Sequence, residues 1–388
     1  MNTIENVGKA CTGCAACAQA CPENAIQMRA DAEGFLCPVI NKALCVGCGR
    51  CKAVCAQLTP VSGRAPLSVF AAYSIDIKTL ENSSSGGLFT VAARHIFERG
   101  GVVCAVALQK ESWRAKFVFA ANEEELKAMR GSKYVQADVG EAYTEVKACL
   151  SKGKQVLFAG CGCHVAALKA FLGKEAEGLF TIDIICHGVP SPLMFQKYVQ
   201  ALEEHSGKLS DYVFRDKRHG WGMRLSYQAG GKEKSAVSML DPYNFNFLKC
   251  RTYRESCYEC RFAAATRQGD WTIGDYWGVL REHPGFYNEL GVSALLVNTQ
   301  KGQKMLEETR EQMKTCPSSF EAVARHNENL LHPSRRPKAR DSAYAGINEK
   351  AAAAFVRDNL KVQASVKDRV KALVPGWVKR LYQRSVRE

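Results

Sequence analysis

Two cysteine runs near the start of the chain have a spacing typical of iron–sulfur proteins. Each run reads C-x2-C-x2-C-x3-C, a spacing that wraps three thiolates around one four-iron cube and sends the fourth to another cube. Thiolates also bind zinc, but a zinc site needs only four ligands and does not require this spacing to occur twice. The pattern therefore indicates electron transfer through Cys11, Cys14, Cys17 and Cys21 of the first run and Cys45, Cys48, Cys51 and Cys55 of the second.

The last cysteine of each run is expected to ligate the cluster of the other run, as in two-cluster ferredoxins. A segment of this size has too small a core to fold without its metal. Residues 1–60 are therefore predicted to form a ferredoxin-like domain with two 4Fe-4S clusters. The expected ligand sets are Cys11, Cys14, Cys17 with Cys55, and Cys45, Cys48, Cys51 with Cys21.

Further cysteines follow two predicted strands and a later loop. Cys163 comes after a strand at 155–159, and Cys186 closes a strand at 179–185. The carboxyl ends of neighbouring parallel strands meet at one sheet edge. With Cys257 and Cys260, a C-x2-C pair, they predict a third four-cysteine site in which Cys161 or Cys250 is a substitute ligand. The alternative is that Cys163 and Cys186 are small buried hydrophobes, as expected for Cys104 and Cys149.

Two glycine- and serine-containing turns are candidates for a flavin or nucleotide. The first turn, at 83–87, leads into a predicted helix at 86–99, whose N-terminus would present free N–H groups to a pyrophosphate. The alternative is that this turn is an ordinary helix cap. The second turn, at 131–134, contains Lys133, which can bind a phosphate, and Tyr134, which can cover a ring. His187 can donate to a flavin or substrate, and Asp275 either faces the site or caps a turn. The candidate cofactor-binding residues are Ser84, Ser85, Gly86, Gly87, Ser132, Lys133, Tyr134, His187 and Asp275, and no catalytic residue is identified.

The elements that must position these residues follow the two cysteine runs. A linker at 56–66 precedes strands alternating with helices, which predicts an α/β domain with a largely parallel sheet. Short runs between about 210 and 240, with a turn at Gly230–Gly231, predict a β-rich insertion. A strand at 291–299 and a helix after Lys301 return the chain to the main fold. The expected domains are 1–60, a flavin-binding iron–sulfur domain at 67–331 and a basic helical tail at 332–388.

Composition and charge restrict the classes of protein. The chain has 388 residues, 18 cysteines and a net charge of +14. It shows neither an export signal nor an apolar stretch of about 18 residues, so a reducing compartment, the cytoplasm, is expected. Residues 332–388 hold 14 Lys and Arg against 5 Asp and Glu. Because the excess charge lies in this tail without a nucleic-acid-binding motif, nucleic acid is not an expected partner.

The tail itself has an amphipathic pattern. Apolar residues recur at intervals of three and four between Val366 and Tyr382, interleaved with Lys and Arg and broken near Pro375–Gly376. Such a helix can lie on an anionic membrane, with Trp377 at the interface. The alternative is a terminal helix packed on its own domain. The tail is therefore a candidate for peripheral contact with the inner face of the membrane.

With these motifs together, the chain resembles the beta-subunit family of coenzyme F-420 (deazaflavin) hydrogenases and dehydrogenases, in its bacterial form. The resemblance implies FAD in the second domain, a further 4Fe-4S cluster beside it, and two-electron chemistry at the flavin that feeds one-electron carriers. One departure is Gly160-Cys161-Gly162-Cys163-His164, where the family usually has Gly-Thr-Pro-Cys-Gln. The cysteine is kept, whereas the Thr, Pro and Gln side chains that would contact flavin or substrate are absent.

The expected function is that of a flavin-dependent iron–sulfur oxidoreductase. A small-molecule hydride donor or acceptor would react at FAD, and the clusters would exchange electrons with a ferredoxin-like or other redox protein. The resemblance also suggests service in polysaccharide or glycan biosynthesis. The alternative is a non-catalytic electron-relay subunit of a larger redox complex, which flavin content would distinguish from an enzyme.

Overall fold

The computed structural model describes residues 3–366, 369 and 370. The chain begins with a ferredoxin-like unit in which each cysteine run enters a short helix. A glycine or alanine with positive φ precedes each helix, Ala15 at 59° and Gly49 at 77°, so both runs turn in the same way. The elements are a 3-10 helix at Ile4–Ala10, α1 (Ala16–Gln19), the antiparallel strands β1 (Ile26–Ala30) and β2 (Leu36–Ile40), and α2 (Arg50–Ala53).

Twelve further strands among the described residues form one large sheet and one small sheet. The large sheet has the order β14-β3-β13-β12-β8-β7-β4-β5-β6, and the small one has the order β11-β10-β9. The strands are β3 (Ser68–Ser74), β4 (Val102–Gln109), β5 (Arg114–Ala120), β6 (Ala137–Asp138), β7 (Val156–Cys161), β8 (Leu179–Ile184), β9 (Leu209–Val213), β10 (Arg224–Ala229), β11 (Lys232–Val237), β12 (Trp271–Asp275), β13 (Ser293–Val297) and β14 (Met313–Ser318).

Helices cover both faces of the large sheet and connect its strands. They are α3 (Ile77–Glu81), α4 (Leu88–Phe97), α5 (Glu123–Leu126), α6 (Ala142–Ser151), α7 (Gly162–Leu172), α8 (Pro192–Ser206), α9 (Pro242–Leu248), α10 (Val279–Glu282), α11 (Gln300–Glu308), α12 (Phe320–Ala324), α13 (Arg340–Tyr344) and α14 (Ala352–Asn359). Short 3-10 turns lie at Lys127–Met129, Ser238–Leu240, Glu255–Cys257, Pro284–Phe286, Arg310–Gln312 and Glu328–Leu330.

The large sheet is mixed, which corrects the prediction of a largely parallel one. Its centre, β12-β8-β7-β4, is parallel, but β4 pairs antiparallel with β5 and β12 pairs antiparallel with β13. Alternating strands and helices predicted the parallel centre correctly. The β4–β5 hairpin and the antiparallel flank of β13, β3 and β14 were missed, because pairing direction depends on connections that hydrophobic periodicity does not encode.

The predicted α/β fold with a β-rich insertion is confirmed. Between β8 and β12 the chain forms the antiparallel sheet of β9, β10 and β11, whose hairpin turns at Gly230–Gly231 as predicted. Both glycines have positive φ, at 55° and 73°, which suits a two-residue hairpin turn. The inner face of this sheet packs Tyr212 and Phe214 against the aromatic side chain of Phe195 in α8.

The ferredoxin-like unit is joined to the large domain by partly buried polar contacts. The Gln136 side chain accepts a hydrogen bond from the Leu36 backbone N–H at 3.0 Å. The C-terminal part of the described chain adds to this contact, because the guanidinium of Arg340 forms a two-point ion pair with Glu33 at 2.5 and 2.6 Å. Helix α14 packs against α8. The first part of the predicted tail, 332–388, is thus built into the body.

No helix within the described parts of the chain is both long and apolar enough to span a bilayer. The predicted amphipathic tail lies largely outside the described residues. Of it, Val366 and Val370 are described, and both are exposed, at 78% and 55%.

Candidate functional site

Four cysteines of the ferredoxin-like unit surround a small apolar cavity, and we call them the proximal set. Burial raises the pKa of Cys14 to about 11, and the nearby thiols of Cys163 and Cys55 contribute to this rise. The Gly13 N–H donates to the sulfur of Cys11 at 3.4 Å. The structure thus brings together the four residues predicted as the first ligand set, Cys11, Cys14, Cys17 and Cys55.

A second small cavity is lined by the other four cysteines of the unit, which we call the distal set. The Ala25 N–H donates to the sulfur of Cys21 at 3.3 Å. Cys51 is buried and lies near Cys17 of the proximal set. Burial of Cys17 and the nearby thiols, Cys51 among them, raise the pKa of Cys17. The members of this cavity are those of the second predicted ligand set, Cys21, Cys45, Cys48 and Cys51.

Five cysteines meet at the carboxyl ends of β7 and β8, and we call them the sheet-edge set. Cys161 ends β7 opposite Ile184 of β8, and its thiol hydrogen-bonds with the thiols of Cys163 and Cys186. The hydrogen bond with Cys161 lowers the pKa of Cys186. Burial raises the pKa of Cys260 to about 12. All line one large cavity: Cys161, Cys163, Cys186, Cys257 and Cys260.

Of the two predicted substitute ligands, Cys161 lies in this set and Cys250 does not line the cavity. The Cys250 carbonyl instead accepts a hydrogen bond from the Tyr258 hydroxyl. Cys104 is fully buried in β4, in agreement with its expected packing role. All eighteen cysteines are free thiols. Among the residues that the structure describes, no three or more His, Cys, Asp or Glu are placed so that they could share a single metal ion.

The three sets follow one another through the molecule. Cys51 of the distal set neighbours Cys17 of the proximal set, and Cys14 of the proximal set neighbours Cys163 of the sheet-edge set. Ala56, directly after Cys55, packs in one apolar cluster with Cys163 and Cys260. The sulfur atoms therefore form a continuous series from the ferredoxin-like unit to the large cavity.

The large cavity has a volume of about 550 Å³ and lies between the carboxyl edge of the large sheet and the β-rich insertion. Eight of the nine predicted cofactor-binding residues line it: Ser84, Ser85, Gly87, Ser132, Lys133, Tyr134, His187 and Asp275. Gly86 lies beside it, where its N–H donates to Ser293 Oγ at 2.9 Å. A Cβ on Gly86 would stand 2.4 Å from the Ala72 carbonyl oxygen, so close packing explains this glycine.

The two predicted turns contact each other on the cavity wall. The Ser132 N–H and hydroxyl both donate to Ser84 Oγ, at 2.8 and 2.9 Å. Gly87, with φ 81°, is the N-cap of the ten-residue helix α4, and both Gly87 and Leu88 line the cavity. Lys133 donates to the carbonyls of Met129 and Arg130, and burial lowers its pKa to about 7.

A buried ion pair that sequence analysis missed forms another part of the wall. Arg215 binds both oxygens of Asp275, at 2.7 and 3.1 Å, and donates to the Tyr134 hydroxyl at 3.1 Å. Burial opposes the charge of Arg215, but the adjacent Asp275 carboxylate raises its pKa overall. Trp221 Nε1 donates to Asp275 at 2.7 Å and stacks on Trp277 at 5.2 Å. Asp275 thus orients the wall rather than standing free in the cavity.

Lys217, which sequence analysis also missed, binds the backbone of the loop at 83–87. Its ammonium group donates to the carbonyls of Leu80 and Ser85, at 2.8 and 2.6 Å, and to that of Leu290. Burial lowers its pKa to about 7. The charge run Arg215-Asp216-Lys217-Arg218 resembles a solvated surface segment in sequence, and only the adjacent strand Tyr212-Val213-Phe214 signalled burial.

The histidines at the cavity differ in availability. His164 Nδ1 accepts the Cys161 N–H at 3.3 Å, and its ring packs edge-on against Phe117. Burial lowers the pKa of His164 to about 4, so it remains neutral and caps α7. His187 is exposed, although the surrounding protein still desolvates its ring and lowers its pKa, and its carbonyl accepts the Ser334 hydroxyl at 2.8 Å. Because His164 is buried and caps α7 whereas His187 is exposed and lines the cavity, His187 is the better placed of the two to face a ligand.

Three family models match the chain. The 4Fe-4S dicluster domain matches residues 10–57, and the N-terminal and C-terminal models of the coenzyme F420 hydrogenase/dehydrogenase beta subunit match residues 69–143 and 153–320. A chain of the F420-reducing nickel–iron hydrogenase complex from Methanosarcina barkeri is similar in structure, with 17% identity and a TM-score of 0.46. The match covers 77% of this chain and 91% of that chain. A search of the curated proteins found no match.

Proposed function

Because this chain belongs to the coenzyme F420 hydrogenase/dehydrogenase beta-subunit family, we propose that it is a flavin-dependent iron–sulfur oxidoreductase. It would couple two-electron chemistry at FAD to one-electron transfer through 4Fe-4S clusters. The observation that carries this proposal is one large cavity that has cysteines at one side and polar turns with aromatic side chains at another. Two cofactors that exchange electrons could bind there side by side.

The residues around the cavity fit a flavin dinucleotide. Ser84, Ser132 and Lys133 would bind its pyrophosphate with the N-terminus of α4, because these groups supply donors and positive charge. Tyr134, which stacks on Phe247 at 4.3 Å, would cover a ring. When bound, FAD supplies the ability to accept a hydride and release electrons singly. Glycine at 86 and 87 keeps the backbone of this turn close to the sheet.

The cysteine sets fit three clusters. The proximal and distal sets would each hold one 4Fe-4S cluster, with Cys55 and Cys21 crossing between the runs. Cys163, Cys186, Cys257 and Cys260 would hold the third, and Cys161 would remain a hydrogen-bonding neighbour. The amides that donate to Cys11 and Cys21 support this assignment, because N–H donors to sulfur stabilise the electron-rich cluster.

Protein groups would control the reaction by orientation and charge. Asp275, fixed by Arg215 and Trp221, keeps Tyr134 and Trp277 in place on one wall. Lys133 lines the cavity, and its pKa, which burial lowers to about 7, suits proton exchange near neutral pH. His187, which also lines the cavity, would donate to the flavin or the substrate. A small-molecule hydride donor or acceptor would enter beside these groups, and a redox protein would exchange electrons with the clusters.

Anaerobic purification followed by iron, sulfide and flavin quantitation tests this function. We expect about twelve irons, since each cube holds about four, and about one FAD per chain. A protein that contains the clusters but binds no FAD after reconstitution would instead be an electron-relay subunit without its own substrate. A protein with neither iron nor flavin would contradict both functions.

We further propose that the C-terminal segment contacts an anionic membrane surface. Exposed Val366 and Val370, four residues apart, support this proposal, since they start the apolar stripe of the predicted basic helix. A glycan-assembly setting would favour the same surface, where lipid-linked intermediates are found. Co-sedimentation with anionic vesicles at low and high salt tests it by comparing the full chain with one that ends at Gln363. Equal sedimentation of the two forms would exclude this contact.

A further inference from the structure

The distal set is the outermost member of the cysteine series. Among the eighteen cysteines, all of which the structure describes, Cys48 alone is exposed. The sheet-edge set lines the interior cavity, and the proximal set lies between it and the distal set. An electron that enters or leaves the molecule by this series therefore passes the surface around Cys48.

That surface combines apolar and basic side chains. Val39, Leu44 and Val46 are large hydrophobic residues that are exposed, at 45%, 50% and 66%. Exposed apolar residues that cluster in this way are typical of protein-interaction sites. Leu44 and Val46 lie on the loop at 41–49 that carries Cys45 and Cys48, and Val39 lies in β2 just before it.

Every charged residue of the segment 39–52 is basic. Lys42, Arg50 and Lys52 lie on the loop at 41–49 or directly after it, and between Gly34 and Ile75 the sequence has no Asp or Glu. Within the described residues, none of these three cations forms an ion pair. Glu23, which lines the distal cavity, is the acidic residue at this edge. The positive charge is therefore free to attract a partner.

We propose that residues 39–52 form the docking surface for a small acidic electron-carrier protein of the ferredoxin or flavodoxin class. This inference rests on the proposed function. The basic rim would steer an acidic carrier, and Leu44 and Val46 would pack against the apolar surround of its redox centre. For each hydride that reacts at the flavin, two carrier molecules are reduced by one electron each, and one proton is released; the reverse reaction consumes the same amounts.

An anaerobic stopped-flow experiment tests the surface with the oxidised holoprotein and an acidic flavodoxin in its hydroquinone state. Electron transfer to the clusters is followed by the appearance of the flavodoxin semiquinone absorption. The test variant is K42E/R50E/K52E, and K42Q/R50Q/K52Q removes the charges without reversing them. The matched control is K208E/K232E/K234E, which makes the same change in net charge on exposed lysines at the β-rich insertion.

For K42E/R50E/K52E we expect the second-order rate constant at low salt to fall at least about tenfold, with a smaller fall for the Gln variant. The rate of the native protein should decrease with added salt, and that of K42E/R50E/K52E should not. The control variant should react like the native protein. Equal losses in the two Glu variants, or no loss in either, would overturn the assignment of this surface.

Iron content and reduction by a small viologen separate this inference from the proposed function. Each variant should keep the native iron content and the native rate with reduced viologen, which needs no docking surface. If the native protein binds no clusters or is not reduced by viologen, the proposed function fails. If it is reduced by viologen while the flavodoxin rate is unaffected by residues 42, 50 and 52, the docking surface alone is wrong.

Discussion

Arg254 donates a hydrogen bond from Nη2 to the sulfur of Cys37 at 3.0 Å. Cys37 in turn hydrogen-bonds with Cys11 of the proximal set, which lowers the pKa of Cys11. The same guanidinium donates to the Cys11 and Leu36 carbonyls, at 2.6 and 3.0 Å. Because Arg254 is buried and also lies near Cys257, it places one positive charge between the proximal and sheet-edge sets.

Replacing Arg254 by Gln should lower the reduction potential of the proximal cluster. A unit charge at about 8 Å contributes about 2 kcal/mol at an effective dielectric constant of about 20. This corresponds to about 90 mV for a one-electron couple. Redox titration followed by electron paramagnetic resonance measures the shift.

Arg261→Gln is the control for this potential. Arg261 also donates to carbonyls of the ferredoxin-like unit, those of Ala56 and Gln57, each at 3.0 Å, but it lies at an exposed position. We expect its potentials to remain near the native values. R254K, which keeps the charge, should fall between the native protein and R254Q; potentials in R254Q equal to the native values would contradict the electrostatic role.

Replacing Cys257 by Ser should remove about four irons per chain, because the third cluster loses a ligand. Cys161→Ser should keep the iron content, since the assignment gives Cys161 no bond to the cluster. Cys316→Ser is the control, because Cys316 lies in β14 and its thiol hydrogen-bonds with the Pro317 carbonyl. Iron quantitation after anaerobic reconstitution decides the assignment, and a loss of iron in C161S with full loading in C257S would exchange the two roles.

The positions of the cysteines could largely be predicted from the sequence. Spacing alone predicted which cysteines surround each small cavity, because the x2-x2-x3 repeat fixes the local turn geometry. The sheet edge followed from the strand ends that carry Cys161 and Cys186. The assignment of ligands stays a prediction, but the side chains concerned lie together in the structure.

The charged groups around these cavities could not be predicted in this way. Arg215 and Asp275 are sixty positions apart and meet only because the β-rich insertion folds over the sheet edge. Arg254 reaches Cys37 across a contact between two separately recognised regions. Such pairs depend on tertiary packing, whereas periodicity and motif spacing report only on nearby residues.

FAD affinity should decrease as the pH rises above about 7, because burial lowers the pKa of Lys133 to about 7. Below this pH the free protein carries the ammonium that would attract the pyrophosphate. Above it, binding must take up a proton, and the dissociation constant should rise by up to about tenfold per pH unit. Calorimetric titration with FAD between pH 6 and 8.5 measures this dependence.

K133M should bind FAD more weakly at pH 6 and show no such rise. Its control is Lys127→Met, which removes a lysine that is exposed and paired with Glu124. We expect K127M to keep the native pH profile. A native profile in K133M would show that Lys133 does not contact the pyrophosphate.

Replacing Arg340 by Met should destabilise the protein by about 1–3 kcal/mol, because it removes a buried cation and leaves half-buried Glu33 and the buried Tyr253 carbonyl without their partner. The Arg340 side chain is fully buried, binds Glu33 at two points and donates to the Tyr253 carbonyl at 3.0 Å. Its guanidinium also stacks on Tyr344 at 4.2 Å. Anaerobic urea denaturation of the holoprotein measures the loss.

The control is Arg357→Met in α14, where the exposed guanidinium pairs with Asp358. Its loss should change the free energy of unfolding by less than about 0.5 kcal/mol. If the two variants unfold at the same urea concentration, Arg340 does not join the C-terminal helices to the ferredoxin-like unit in the way that its contacts indicate.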